Sequence, residues 1–304
     1  MEALLKWAII NGATASEDAP KRDAATEESI KQKKLDPAII DAILGKPASV
    51  QMTECLDAIE NKDTPLKARE IALDDLEMLV ENIDNASNLQ PLGLWPRIIR
   101  LFEDPEPSVR EGALWVSGTA VQHNPSAQKA FNGLGNVLAV LRNKEEAPGV
   151  RAKALYCVSS FVRANVTGLT QFVADNGLAI VVEAVDNGGA TLKQKAFFLL
   201  RALIDEAMDD ETPEELRPGK HLIDAIVELG AVDATASAAA QLAAAGEAAA
   251  FEQALGFLNS LADATEGGNR AVKQNPSLRL ALAQASSAFG DWAQDDIFRI
   301  TAHS

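Results

Sequence analysis

The side chains that could do chemistry in this 304-residue sequence are few and scattered. His123, His221 and His303 stand apart, with no HExxH pair and no Cys/His cluster at metal-ligand spacing. Cys55 and Cys157 form neither a CxxC nor a disulfide framework and read as small buried hydrophobes. No GxxxxGK[ST] phosphate loop occurs. Gly133-Leu134-Gly135 lacks the third glycine and the preceding strand that a dinucleotide site needs. No serine has the strand-to-helix elbow of a nucleophile. Acidic residues are plentiful, but they fall on helical faces where solvation is the ordinary role, and none pair for acid–base work. The expectation is no metal, no cofactor and no enzymatic activity; what is left to explain is binding.

The elements that would position binding groups repeat. A cation is followed three residues later by Ala and a large apolar residue at Arg69…Ala72-Leu73, Arg110…Ala113-Leu114, Arg151…Ala154-Leu155 and Lys193…Ala196-Phe197. The alanines lie 41, 41 and 42 residues apart. Within residues 68–86, apolar residues at 72, 73, 76, 79, 80 and 83 follow helical spacing, opposite an acidic stripe. A period near forty built only from helical patterns is the signature of armadillo or HEAT repeats. One unit cannot bury its own apolar stripe, so stacked units share a core and line a concave face. The expected fold is all-α, a right-handed armadillo/HEAT-like solenoid; the alternative is a helical bundle with chance spacing.

Net charge is −16, and residues 1–34 balance six bases against six acids, so the whole excess lies in residues 35–304. Such a body repels nucleic-acid phosphates and suits a partner with basic patches. No signal peptide or membrane-length apolar run is present, which points to the cytosol or nucleus. Asn85-Ala86-Ser87 and Asn165-Val166-Thr167 match the glycosylation pattern but carry no meaning without secretion.

Residues 1–34 are expected to form a flexible segment: a short apolar stretch with Leu4, Leu5, Trp7 and Ile9, then a polar linker. On composition the stretch either docks on the body or serves as a tethered hydrophobic ligand. Residues 35–304 are expected to be repeat domain, with a helix over 35–47, another over 51–60, and units near 68–102, 109–142, 150–186 and 192–229. A weaker unit spans 250–290. The helix opening the first unit should run unbroken over 68–86, and one helix should cover 125–141. Residues 205–217 break the period as a solvated helix end and loop. Twelve of the twenty residues from Ala231 to Ala250 are alanine, which favours helix but offers little packing to fix register.

The stretch Glu77-Met78-Leu79-Val80-Glu81-Asn82-Ile83-Asp84-Asn85-Ala86-Ser87-Asn88, with Leu94-Trp95 after it, resembles the armadillo-type nucleotide exchange factors of the seventy-kilodalton heat-shock (DnaK-type) chaperones. It is most similar to the fungal cytosolic Fes-type factors and the animal heat-shock-chaperone-binding protein. Met1–Trp7, Gly118–Asn124, Arg151–Tyr156 and Leu192–Ala196 match as well, and the resemblance covers about residues 1–204. It implies a co-chaperone without enzyme activity that embraces lobe II of the chaperone's ATPase domain and promotes ADP release. It also implies that the N-terminus, through Leu4, Leu5, Trp7 and Ile9, occupies the chaperone's peptide groove, which favours the tethered-ligand reading. A cytoplasmic monomer follows.

By motif position, Asn82, Asn85 and Ala86 should sit on the concave face at the end of the first inner helix. Small size at Ala86 implies close approach by a partner. Gln122, Asn124 and Arg163 fall at other inner-helix ends, and Lys195 stands where the family has a chaperone-contacting cation. Ser160 replaces a frequent Asn. For each polar position, helix capping or solvation is the alternative to a partner contact. The competing function is a scaffold or transport adaptor binding extended peptides, whose usual Asn and Trp ladder is represented here by Trp115 alone.

Overall fold

The structure, a computed structural model, describes residues 45–214, 217–289 and 291–301. Expectations for Leu4, Leu5, Trp7, Ile9, the linker and the helix begun at residue 35 fall outside it, apart from Gly45, whose φ of +71° suits a helix end. Nearly all of the described residues fall in one compact unit, Ala48–Ser304.

It is built of helices: α1 Ala48–Glu60, α2 Leu66–Val80, α3 Ile83–Asn88, α4 Trp95–Arg100 with a following 3-10 turn, α5 Pro107–Val121, α6 Pro125–Ala130 and α7 Leu134–Arg142. Then come α8 Pro148–Val162, α9 Val166–Ala174, α10 Gly177–Asn187, α11 Ala190–Met208, α12 His221–Glu228 and α13 Ala231–Ala245. The last are α14 Ala248–Ala264, α15 Glu266–Gln274, α16 Pro276–Phe289 and α17 Asp291–Thr301. The long helices α2, α5, α8, α11 and α14 pack one against the next in a row, and α7, α10, α13 and α16 form a second row behind them. Threes of helices therefore repeat from α2 to α16, as the sequence period requires.

The small anchors work by contact. Ala113, Ala154 and Ala196 are fully buried between neighbouring long helices. At Gly118 a Cβ would lie 2.5 Å from the Tyr156 ring and 3.1 Å from the Cys157 Cα, so α5 and α8 meet at backbone distance. Behind them an aromatic ladder crosses three units, Trp95 to Phe131 to Phe161, with edge-to-face centroid distances of 5.1 and 5.5 Å.

The repeating cation ties each long helix to the segment before it. Arg69 Nε donates to the Ile59 carbonyl at 2.6 Å, Arg151 Nε to the Leu141 carbonyl at 3.1 Å, and Lys193 Nζ to the Asp186 carbonyl at 2.7 Å. Each takes up an orphan carbonyl at a helix C-terminus, where a positive charge is also favoured by the dipole. Arg110 plays the part by donating from Nη1 to the Asp104 carbonyl at 2.6 Å and gripping Glu146 through Nε and Nη2. Asp104 itself is buried against Arg69 and Lys62. Burial disfavours its charge, but Arg69, Lys62 and the Glu106 amide outweigh that and hold its pKa at about 2.

Three expectations are corrected. The helix over 68–86 breaks after Val80 because Asn82 turns the chain and caps a new helix. The helix over 125–141 is two, parted at Phe131–Gly133. The fourth unit does not close at 229: Gly230, at φ +77°, turns the chain into the alanine-rich α13, which completes it. Ala231, Ala234, Ala236, Ala238 and Ala239 are buried, so alanine there serves close packing against α10 and α16. α11 runs to Met208, four residues longer than α5 or α8, and the loop after it breaks the period as expected. No single helix among the described residues is long and apolar enough to cross a membrane; α9 and α10 pass together only as a pair bent by 72°.

Candidate functional site

Of the residues singled out at the end of the first long helix, Asn82 and Asn85 hold local backbone while staying exposed and half-buried, and Ala86 is buried. Asn82, in extended backbone, accepts hydrogen bonds on its side-chain oxygen from the Asp84 and Asn85 amides at 3.0 and 3.2 Å. Asn85 Nδ2 donates to the Leu79 carbonyl at 2.8 Å. Short amide side chains compete with the helical ladder in this way, which is why α2 ends where it does. Ala86 is 1 % exposed and packs in the core, so it offers no surface to a partner, and the expectation of close approach there is corrected.

Asn124 is likewise withdrawn, at 2 % exposure. Its Oδ1 accepts from the Ala127 amide at 3.1 Å, while Nδ2 donates to the Ile83 carbonyl at 3.1 Å and the Ser87 hydroxyl at 3.3 Å. One side chain thus caps α6 and bolts it to α3. Asn165 repeats the cap one unit on, accepting from the Gly168 amide at 3.0 Å. The residues before these caps, His123 and Ala164, take left-handed φ of 52° and 51° to end α5 and α8. Ser160 is buried, and its carbonyl accepts from Gln128.

Gln122, Arg163 and Lys195 are brought together. They line one depression of about 440 Å³ on the long-helix row, with Tyr156 and Phe198 between them. A hydrogen-bonded chain crosses α2, α5 and α8 beside it. Thr119 Oγ1 donates to Glu77 Oε1 at 2.7 Å and lies 3.3 Å from the Tyr156 hydroxyl, which donates to Gln122 Oε1 at 3.2 Å. Arg163 Nε pairs with Glu206 at 3.1 Å, and its guanidinium lies 5.4 Å from the Phe198 ring. Lys195 Nζ lies 5.9 Å from the Tyr156 ring. Lys153 covers Trp115 at 3.6 Å. Burial lowers its pKa, Lys195 lowers it further, and Glu111 and Glu77 oppose both.

Lys153, Tyr156, Thr119 and Glu77 were not selected from the sequence as site residues. The period could have found two of them: Trp115, Tyr156 and Phe198 are spaced by 41 and 42, and Lys153 and Lys195 by 42. Elsewhere, burial raises the pKa of both Cys157 and Cys55, which disfavours the reactive thiolate. Among the described residues no three His, Cys, Asp or Glu side chains are placed to share a metal ion. The arrangement has the parts of a recognition surface: fixed aromatic rings, hydrogen-bonding groups and cations on a rigid row.

Two family models match the chain, Nucleotide exchange factor Fes1 over residues 1–89 and the SIL1/FES1/HPBP1 C-terminal domain over residues 85–221. The Hsp70 nucleotide exchange factor fes1 of Schizosaccharomyces pombe is 38 % identical over 57 % of this chain, a match spanning 61 % of that protein's length. Hsp70 nucleotide exchange factor FES1 of Candida glabrata is 32 % identical over 76 % of this chain and 79 % of its own. The protein of that name from Kluyveromyces lactis is 33 % identical over 68 % and 71 %. Among solved structures, an engineered protein superposes with a TM-score of 0.63 at 15 % identity, over 82 % of this chain and 96 % of that one. A designed armadillo repeat protein gives 0.58 at 13 %, over 82 % and 98 %. These likenesses show an armadillo-like fold.

Proposed function

The chain belongs to the Fes1 family of Hsp70 nucleotide exchange factors, and from that premise we propose that it binds the ATPase domain of a cytoplasmic seventy-kilodalton heat-shock chaperone and drives ADP release. The observation that carries this reading is identity of 32–38 % to proteins named for that activity. The depression holding Gln122, Arg163 and Lys195 supplies a surface for it. The mechanism is linkage. A factor that holds lobe II of the ATPase domain more tightly in its nucleotide-free shape weakens ADP by the ratio of its two affinities. Tenfold faster release requires only about 1.4 kcal/mol off the barrier. The factor acts as a monomer and does no bond chemistry itself.

In this reading the N-terminal segment frees the chaperone's peptide. Leu4, Leu5, Trp7 and Ile9 form an apolar cluster suited to an extended-peptide groove. A linker of about 24 residues reaches roughly 25–30 Å, which keeps the cluster at high local concentration. The adaptor reading is less well supported, because Trp115 is the lone tryptophan of the long-helix row: Trp95 is buried behind it and Trp292 lies in α17.

The test uses labelled ADP and labelled peptide on one full-length chaperone. The intact chain should speed release of both. Deletion of residues 1–34, or Leu4→Ala, Leu5→Ala and Trp7→Ala together, should preserve ADP release and slow peptide release. Loss of ADP release on deletion, or peptide release at the intact rate, contradicts the division of labour.

A further inference from the structure

The chain holds two Thr-Pro pairs, Thr64-Pro65 and Thr212-Pro213, and no Ser-Pro pair. Their settings are opposite in charge. Lys62 lies two residues before Thr64 and Lys67 three after it, with Asp63 the one acid between residues 61 and 69. Thr212 is crowded on both sides by Asp209, Asp210, Glu211, Glu214 and Glu215. The hydroxyls differ too. Thr212 Oγ1 donates to Asp209 Oδ2 at 2.6 Å, whereas the Thr64 hydroxyl makes no hydrogen bond among the described residues. Thr64 is held by its amide alone, which donates to the Asn61 carbonyl at 3.1 Å.

Thr64 sits in the short turn between α1 and α2. It is half-buried, while Asn61, Lys62, Asp63, Pro65, Leu66 and Lys67 are all exposed. Pro65 is extended, at φ −55° and ψ 141°, and no side chain caps the helix that follows it. To lie flat in an enzyme's cleft, residues 61–67 must unwind the first turn of α2. That breaks the bonds from the Ala68 and Arg69 amides to the Pro65 carbonyl. The earliest amides of a helix have no intrahelical partner to lose, and such ends open at small cost. The clamp of Arg69 on Ile59 and Asp104 lies beyond the segment.

We propose that Thr64 is a phosphorylation site for a proline-directed protein kinase, one whose cleft takes proline directly after the acceptor and whose acidic rim takes a cation three residues on. Pro65 suits such a cleft because it brings no amide that would be left unpaired there. Lys67 supplies the cation, and the acids around Thr212 would be repelled by the same rim. In the reaction the Thr64 hydroxyl oxygen attacks the γ-phosphorus of the kinase's ATP. The bond to the bridging oxygen breaks, ADP leaves, and the hydroxyl proton passes to the kinase's catalytic aspartate. The product carries up to about two negative charges. They lie in sequence between Lys62 and Lys67, at an uncapped helix start where the dipole favours an anion. The phosphate thus gives α2 the anchor that Pro65 lacks. The exchange-factor reading plays no part in this assignment.

The test incubates the full folded chain with a purified cyclin-dependent kinase and γ-labelled ATP, and locates the phosphate by mass spectrometry of its peptides. Label should appear on Thr64. Thr64→Ser should keep it, and Thr64→Val and Pro65→Ala should lose it. Lys67→Ala should slow labelling about tenfold by removing the cation that the rim receives. Melting temperatures confirm that each variant is folded. The phosphorylated chain should melt about 1–3 °C above the unmodified one. Label on Thr212 in place of Thr64, equal labelling of Thr64→Val and wild type, or labelling of Thr64 only after urea unfolding overturns the assignment. Unslowed labelling of Lys67→Ala overturns the role of the cation. A melting temperature that stays or falls on phosphorylation overturns the anchoring of α2.

Discussion

The end of the first long helix and the ridge around Tyr156 both attract notice, for opposite reasons. The first, Glu77 to Asn88, carries the most specific sequence resemblance, yet its Asn82 and Asn85 are bonded to backbone and its Ala86 is in the core. The second matches in short pieces, yet its Gln122, Arg163 and Lys195 line an open depression. A motif can be specific because a chain must turn there, and a binding face can be built from side chains that each look ordinary. The comparison implies that filling the buried Ala86 site should unfold the protein, and that changes in the second region should leave it folded and impair binding.

The largest effect is expected from Ala86→Arg. A long cation placed in a site that is 1 % exposed has no partner, and the cost should exceed about 4 kcal/mol. Thermal or urea unfolding checks it. A wild-type melting temperature would return Ala86 to the surface and reverse the comparison.

Asn124→Ala should cost less, about 1–3 kcal/mol, because it strips the α6 cap and leaves the Ile83 carbonyl with a lost donor. Urea midpoints measure it, and Asn124→Asp should recover only the capping half.

A smaller change comes from acid. Asp104 is depressed in the folded chain to about 2 from an ordinary 3.8. A depressed carboxylate stabilises the fold fully above its unfolded pKa, and that contribution is lost as pH falls through the folded value. Roughly 2 kcal/mol should therefore fade between about pH 4 and pH 2. Asp104→Asn should flatten that part of the stability profile while lowering stability at neutral pH; an unchanged profile would show that Asp104 does not hold Arg69.

The repeat fold was legible because stacking imposes its period on small anchors: Ala113, Ala154 and Ala196 are where the spacing put them, and the cations before them turn out to clamp helix ends. The break at Asn82 was less legible. Asn at that point satisfies a helical period as easily as it caps a new helix, and only the backbone it bonds to decides. The same ambiguity hid the difference between buried Asn124 and exposed Gln122, two residues apart. Lys153 and Tyr156 went unselected because their meaning lies in neighbours 37–42 residues away, Trp115, Thr119 and Lys195.

The most direct test is the rate of labelled ADP release from a purified chaperone ATPase domain as the full chain is titrated in, beside Lys195→Ala with Arg163→Ala at equal melting temperature. The account predicts release that accelerates with wild-type concentration and saturates, and a double variant that needs far more protein for the same acceleration. Release indifferent to the wild-type chain, or undiminished in the folded double variant, would contradict it.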